Sequence, residues 1–275
     1  MASRTSFYLL ICLLMISGIS YTIYRHTIDK IPLLPTTKST IWTVEASIKF
    51  NGHGAVEASF ALPQDPNFSV LSESAASNGY GLNILEEDHQ RRAIWSQRNA
   101  QGNQELFYTA NFKALSPTLP QERPPEPVPS IDWRTQLAPA AQAIIDAAWE
   151  KSASNLTYAR QLLQLLQQRD QQNIALLRSH YYDADLFVLL LNSKGVPATK
   201  VMALALEDGR RRQQLQDWVE VYDQRQQHWV LFNPRTGAEG QPDDLLLWQR
   251  NGLSVLDLRG GNQSKVSFSI IKETR

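Results

Sequence analysis

His180, Asp183 and Asp185 stand close together in "SHYYDADLF". An imidazole beside two carboxylates is a set that can move protons or hold a metal ion. On a helix, however, positions 183 and 185 point to different faces, which argues against shared metal ligation. Farther along, Gln216, Asp217 and Trp218 open the alternating stretch "QDWVEVY", and Asn233 closes the next one, "HWVLFNP". Neither Gln216 nor Asn233 takes up a proton at neutral pH, and neither supplies charge to orient an imidazolium. The chain has one cysteine, Cys12, and it lies in an N-terminal apolar run. The residues after it therefore have no thiol nucleophile, no disulfide framework and no cysteine metal site. No cofactor is called for, and the shortage of cysteine suits an oxidising compartment.

The bulk numbers exclude some partners. Across 275 residues, 27 Lys and Arg balance 27 Asp and Glu, and no basic stripe interleaved with aromatics speaks for nucleic acid. Arg210-Arg211-Arg212 sits in a polar stretch and reads as a solvated loop, with an anionic partner as the alternative. Phe7–Ile23, "FYLLICLLMISGISYTI", is apolar and uncharged and lacks a convincing small-x-small cleavage site. It reads as an uncleaved signal anchor within residues 1–30, a single-pass transmembrane helix. Long domains translocate largely regardless of flanking charge, so the residues after Lys30 are placed outside the cytoplasm.

These side chains need elements to position them. Residues 41–114 read as strands separated at intervals of roughly ten residues by turn signals such as Asn51-Gly52, Asn78-Gly79 and Gln101-Gly102-Asn103. That spacing predicts a β-sandwich of about six strands. Residues 115–131, containing "SPTLPQERPPEPVPS", read as a proline-rich, semi-rigid linker. Residues 132–275 then change period. Helices are predicted over Pro139–Trp149 and Thr157–Gln168, and a strongly apolar one over Asp183–Gly195, with Pro197 as a stop signal. "ATKVMALAL" and a hairpin turning at Asp223–Gln227 supply an antiparallel sheet. Asp243–Ile271 is expected to add a short helix and one or two strands. The overall class is α+β.

Three motifs carry a family resemblance. "KGVPATKV" at Lys194–Val201, "DWVEVY" at Asp217–Tyr222 and "WVLFNPRTG" at Trp229–Gly237 resemble, in order and spacing, the turn and two strands of the transglutaminase-like, papain-related core. In that family a Cys opens the apolar helix, a His opens the first strand and an Asp ends the second. The thiolate attacks, the His carries the proton and the acid orients the His. Counting back from Gly195 by the family's spacing places the Cys position at His180. The His position falls at Gln216 and the Asp position at Asn233, so the resemblance implies a degenerate triad.

The family's cleft lies between the helix start and the hairpin, which makes Asp183, Asp217 and Trp218 the candidate groove-binding residues. The layout also resembles a narrower group, the bacterial proteins described as an inactive transglutaminase fused to seven transmembrane helices. The residues that carry this are the anchor followed by "YRH", the stretch Val70–Gly81, and "LDLRGG" at Leu256–Gly261. The resemblance implies a non-catalytic module at the bacterial inner membrane with its bulk in the periplasm. Its partners would be a peptide or glutamyl ligand, a cell-wall fragment or another membrane protein. The chain reaches Arg275 without further apolar spans, so a C-terminal seven-helix part would have to follow it or act as a separate partner. Two other readings stay open: a structural assembly platform, and a hydrolase or acyl transferase with a rearranged site.

Overall fold

Two of the turn signals do not turn the chain. In the computed structural model, which describes residue 15 and residues 40–87, 90–115, 123–168, 170–250 and 253–274, strand β1 runs from Thr40 to Ala61 and passes straight through Asn51-Gly52. After β2 (Phe68–Ser77) and β3 (Gly81–Glu87), strand β4 (Gln90–Ala114) passes through Gln101-Gly102-Asn103 in the same way. The reason is register. β1 and β4 pair antiparallel from Ile41 opposite Lys113 to Ala61 opposite Arg92, and this sets Gly52 against Gly102. Two facing glycines leave no side chains to collide, and a bulge between Gly54 and Val56 absorbs the bend.

The expected sandwich of many short strands is therefore one sheet built on two strands of 22 and 25 residues. β2 and β3 share the outer edge of β4, and β9 (Leu256–Thr274) lies on the other side of β1. The strand that completes this first sheet thus comes from the far end of the sequence.

The second layer is the antiparallel sheet β7-β6-β5-β8, made of β5 (Ala198–Ala205), β6 (Gln216–Asp223), β7 (His228–Phe232) and β8 (Leu245–Gln249). Leu204, Leu246 and Trp248 of this sheet, with Leu206 just past the end of β5, share one apolar core with Phe60, Trp95, Tyr108 and Phe268 of the first. Trp248 also donates from Nε1 to the Ala61 carbonyl at 2.8 Å, so its one polar atom is satisfied inside that core. Beside it, the Asp65 carboxylate accepts from the Leu247 and Asn67 backbone N–H groups at 2.8 and 2.9 Å. Burial raises its pKa, and the two N–H groups oppose the rise.

The sequence predicted a short helix within Asp243–Ile271. The described residues there form strands instead. "LLLWQ" is buried along its whole length, and so short an apolar run does not show whether it is helix or strand.

Four helices cover the other end of the second sheet: α1 (Ala138–Trp149), α2 (Asn155–Gln167), α3 (Gln172–Arg178) and α4 (Asp183–Asn192). Pro139 in the first turn suits α1, because the N–H it lacks would have had no helical partner there. Ser154 and Thr157 form a reciprocal capping box at the start of α2. The hydroxyl of the buried Tyr158 then donates to the Leu190 carbonyl at 3.1 Å and ties α2 to α4.

Leu186, Phe187, Leu190 and Leu191 press α4 onto Val219, Val221 and Phe232. The helix stops where Gly195 turns left-handed at φ 70°, ahead of Pro197. α3, with seven residues, is too short to stand out as a periodic segment. Among the described residues no helix is long and apolar enough to cross a membrane, and the expected span Phe7–Ile23 lies outside them apart from residue 15.

Candidate functional site

The site is organised around α4. Lys200 holds Asp185 at 2.7 Å, and the Ala198 N–H donates to Asn192 Oδ1 at 3.1 Å, so α4 runs antiparallel beside β5. Its first turn lies toward the end of the sheet where Gln216 opens β6 opposite Ala203.

His180 was expected at the start of the apolar helix. The helix begins at Asp183, with Tyr182 as its N-cap, and His180 instead closes α3. Its Nδ1 lies 3.2 Å from the Leu176 carbonyl oxygen and 2.9 Å from Ser179 Oγ. A carbonyl only accepts, so Nδ1 carries the proton and donates. The ring thus satisfies a helix C-terminal carbonyl. Asp183 accepts from Arg178 Nε at 2.7 Å and braces the α3–α4 elbow. The two aspartates that looked like a pair in sequence answer to different cations, Arg178 and Lys200.

Gln216 and Asp217 are exposed at the start of β6. Trp218, expected in the groove, is a core residue. It is buried with Val201, Ala203, Leu231, Leu245 and Leu247 on the face of the sheet that α4 does not touch. Alternation along β6 dictates this, because Val219 and Val221 take the helix side.

Asn233 is buried as well, and its side chain holds a turn. Oδ1 accepts from the Arg235 and Thr236 backbone N–H groups at 3.0 and 3.1 Å, and the chain closes with Gly237 N–H on the Asn233 carbonyl at 2.8 Å. Gln167 fastens this turn to α2 through the Pro234 carbonyl at 2.6 Å. Asn233→Ala is expected to cost about 1–2 kcal/mol by leaving those N–H groups without their acceptor, and Asn233→Asp, which keeps the acceptor, to cost less than about half of that. Urea melts of the two variants check both values. Among the described residues no hydrogen bond joins any two of His180, Gln216 and Asn233.

A formed cavity of about 420 Å³ lies on the opposite flank of α4. Asp185, Val188 and Asn192 line it from α4, Pro197–Lys200 from the start of β5, Trp229 from β7, and residues 123 and 126–129 from the proline-rich segment. This volume is in the range of small-ligand sites, roughly 300–1,000 Å³. Next to it, Glu220 is only 1 % exposed and takes Arg123 on one oxygen and Arg250 on the other, each at 3.2 Å. Of the candidate residues named from sequence, none of Asp183, Asp217 or Trp218 lines this cavity. The spacing of Asp185, Val188 and Asn192 along one helix face was the available signal.

The two-layer arrangement, with helices on one end of an antiparallel sheet, defines the class by comparison. It is similar to the crystal structure of a candidate cysteine protease from Cytophaga hutchinsonii, with a TM-score of 0.57 at 10% identity over 86% of this chain and 91% of that one. A candidate protease from Parabacteroides distasonis aligns at a TM-score of 0.26 and 11% identity over 70% of this chain and 46% of that one. No curated protein matches the chain.

Residues 24–181 match the family described as an inactive transglutaminase fused to seven transmembrane helices, and the chain belongs to that family. The matched span ends two residues before α4 and does not reach Gln216 or Asn233. The family is defined as inactive, and the chain is a transglutaminase-like module that is not an enzyme.

Proposed function

We propose that the chain is a membrane-anchored, periplasmic binding module that holds a partner or a peptide-like ligand in the cavity beside α4. One observation carries the reading. His180 and Asn233, two of the degenerate triad positions, now serve the local backbone, Gln216 is left exposed at a strand start, and the same helix keeps a formed cavity with polar groups on its wall. Lys200 and Asp185 are each partly exposed there, 26% and 37% by side chain, and offer one group for a carboxylate and one for an amine. A peptide or glutamyl fragment presents both groups. The apolar run Phe7–Ile23 supports the anchor, and the family's fusion to membrane helices supports a membrane-protein partner.

A second reading, an assembly platform, is favoured by Val70, Leu71, Leu82 and Ile84, which are 39–50% exposed on β2 and β3. A photo-cross-linking residue at Thr199 or at Leu82, used in native membranes, separates the two. An adduct from Thr199 that disappears in Lys200→Glu is the expected result. Adducts from Leu82 alone would favour the platform and reject the cavity as the working site.

A further inference from the structure

We infer that the sheet face made by Glu220, Tyr222 and Trp229 is a recognition site for arginine–proline segments, occupied here by the chain's own residues 123–129, and that a partner peptide of the same chemistry displaces them. The inference rests on the binding role proposed above and names the kind of partner.

The contacts of the resident segment are those of a bound ligand. Trp229 donates from its indole Nε1 to the Arg123 carbonyl at 2.7 Å, across 106 residues of sequence. The guanidinium of Arg123 lies over the same ring, 4.8 Å from its centroid, and reaches Glu220 at 3.2 Å. Tyr222 supports Trp229 from the side at 5.3 Å between ring centres. Arg250 meets one oxygen of the buried Glu220 carboxylate, and the other oxygen takes the guanidinium of Arg123, so this face favours an arginine there.

The sequence after Arg123, "PPEPVP", favours the polyproline II form, whose carbonyls are not used internally and are free to accept from an indole N–H. An aromatic platform with a tryptophan donor is how extended proline-rich peptides are held in general. Pro127, Val128 and Pro129 wall the cavity without filling it, so a peptide with larger side chains at those places would bury more surface than the resident segment does. Tethering gives the resident segment an effective concentration of order millimolar, so an outside peptide is held off until the pin at Arg123 is weakened or the competitor binds better.

The test uses the full chain and a fluorescein-labelled octapeptide of residues 123–130, Arg-Pro-Pro-Glu-Pro-Val-Pro-Ser, followed by anisotropy. Arg123→Ala removes the pin while Arg250 still pairs with Glu220. This variant should bind the peptide at least tenfold more tightly than the unaltered chain. A peptide with alanine in place of its arginine should lose at least tenfold. In parallel, millimolar unlabelled peptide added to the unaltered chain should shift the Trp229 indole N–H resonance, a reading that does not depend on how well the variant folds.

Absence of binding to a folded Arg123→Ala chain overturns the inference, as does binding indifferent to the peptide's arginine. If the variant does not fold, an unmoved Trp229 resonance decides against it. A Thr199 cross-link obtained alongside either negative result would leave the binding role standing and remove only this peptide class.

Discussion

Gly260→Ala is expected to destabilise the chain by about 3 kcal/mol, the sum of a left-handed alanine and an overpacked contact. Gly260 has φ +73°, and a Cβ built there would lie 1.9 Å from the Ala55 carbonyl oxygen and 2.9 Å from its carbon. The atoms in the way are backbone, at the bulge of β1, so no rotamer change relieves the overlap. Gly240 makes the control. Its φ is +89°, but nothing lies within 4 Å of the same position, so Gly240→Ala should show the backbone cost alone, about 1 kcal/mol. Urea unfolding of the two variants measures the difference. Equal losses would mean that β9 does not lie against β1 as described. The "LDLRGG" stretch is thereby explained as a packing requirement, since Gly260 is where the last strand crosses the bulge of the first.

Trp248→Ala should cost about 4 kcal/mol, in the range for emptying a fully buried aromatic site. The indole is 2% exposed and touches Phe60, Tyr108 and Phe268, with ring centres 5.8, 6.3 and 4.7 Å away. It also gives up its bond to the Ala61 carbonyl. Because it stands between the two sheets, the loss should reach all parts at once. Tryptophan fluorescence and the helical circular-dichroism signal should move together in one transition at lower urea. Two separated transitions, one unchanged, would show that the sheet of residues 41–114 and the helical part unfold independently, as the proline-rich boundary suggested from sequence.

The difference between reading and structure has physical causes. The helices from Ala138, Asn155 and Asp183 were legible because their apolar spacing is local and their ends carry Pro139, Ser154 and Gly195. The β6–β7 hairpin was legible for the same reason, from alternation and a polar turn. The length of β1 and β4 is not legible locally, because Asn-Gly and Gln-Gly-Asn are turn sequences unless a second glycine faces them across a ladder, and that pairing is non-local. His180 follows α3 and not the start of the apolar helix, and a helix of seven residues is below what periodicity can register. The cavity depends on Arg123 meeting Glu220 and Trp229, 97 and 106 residues away, so local spacing could show only its wall on α4. That Gln216 and Asn233 carry no acid–base group is readable from residue type alone, whatever their surroundings.

The central claim is that this family member keeps the transglutaminase-like scaffold without its chemistry, and a turnover assay tests it most directly. The full chain would be incubated with glutamine-containing peptides, with and without an amine acceptor, and both ammonia release and peptide-bond cleavage followed. The account predicts rates equal to buffer, unchanged in His180→Ala. Turnover above buffer that disappears in His180→Ala would contradict it.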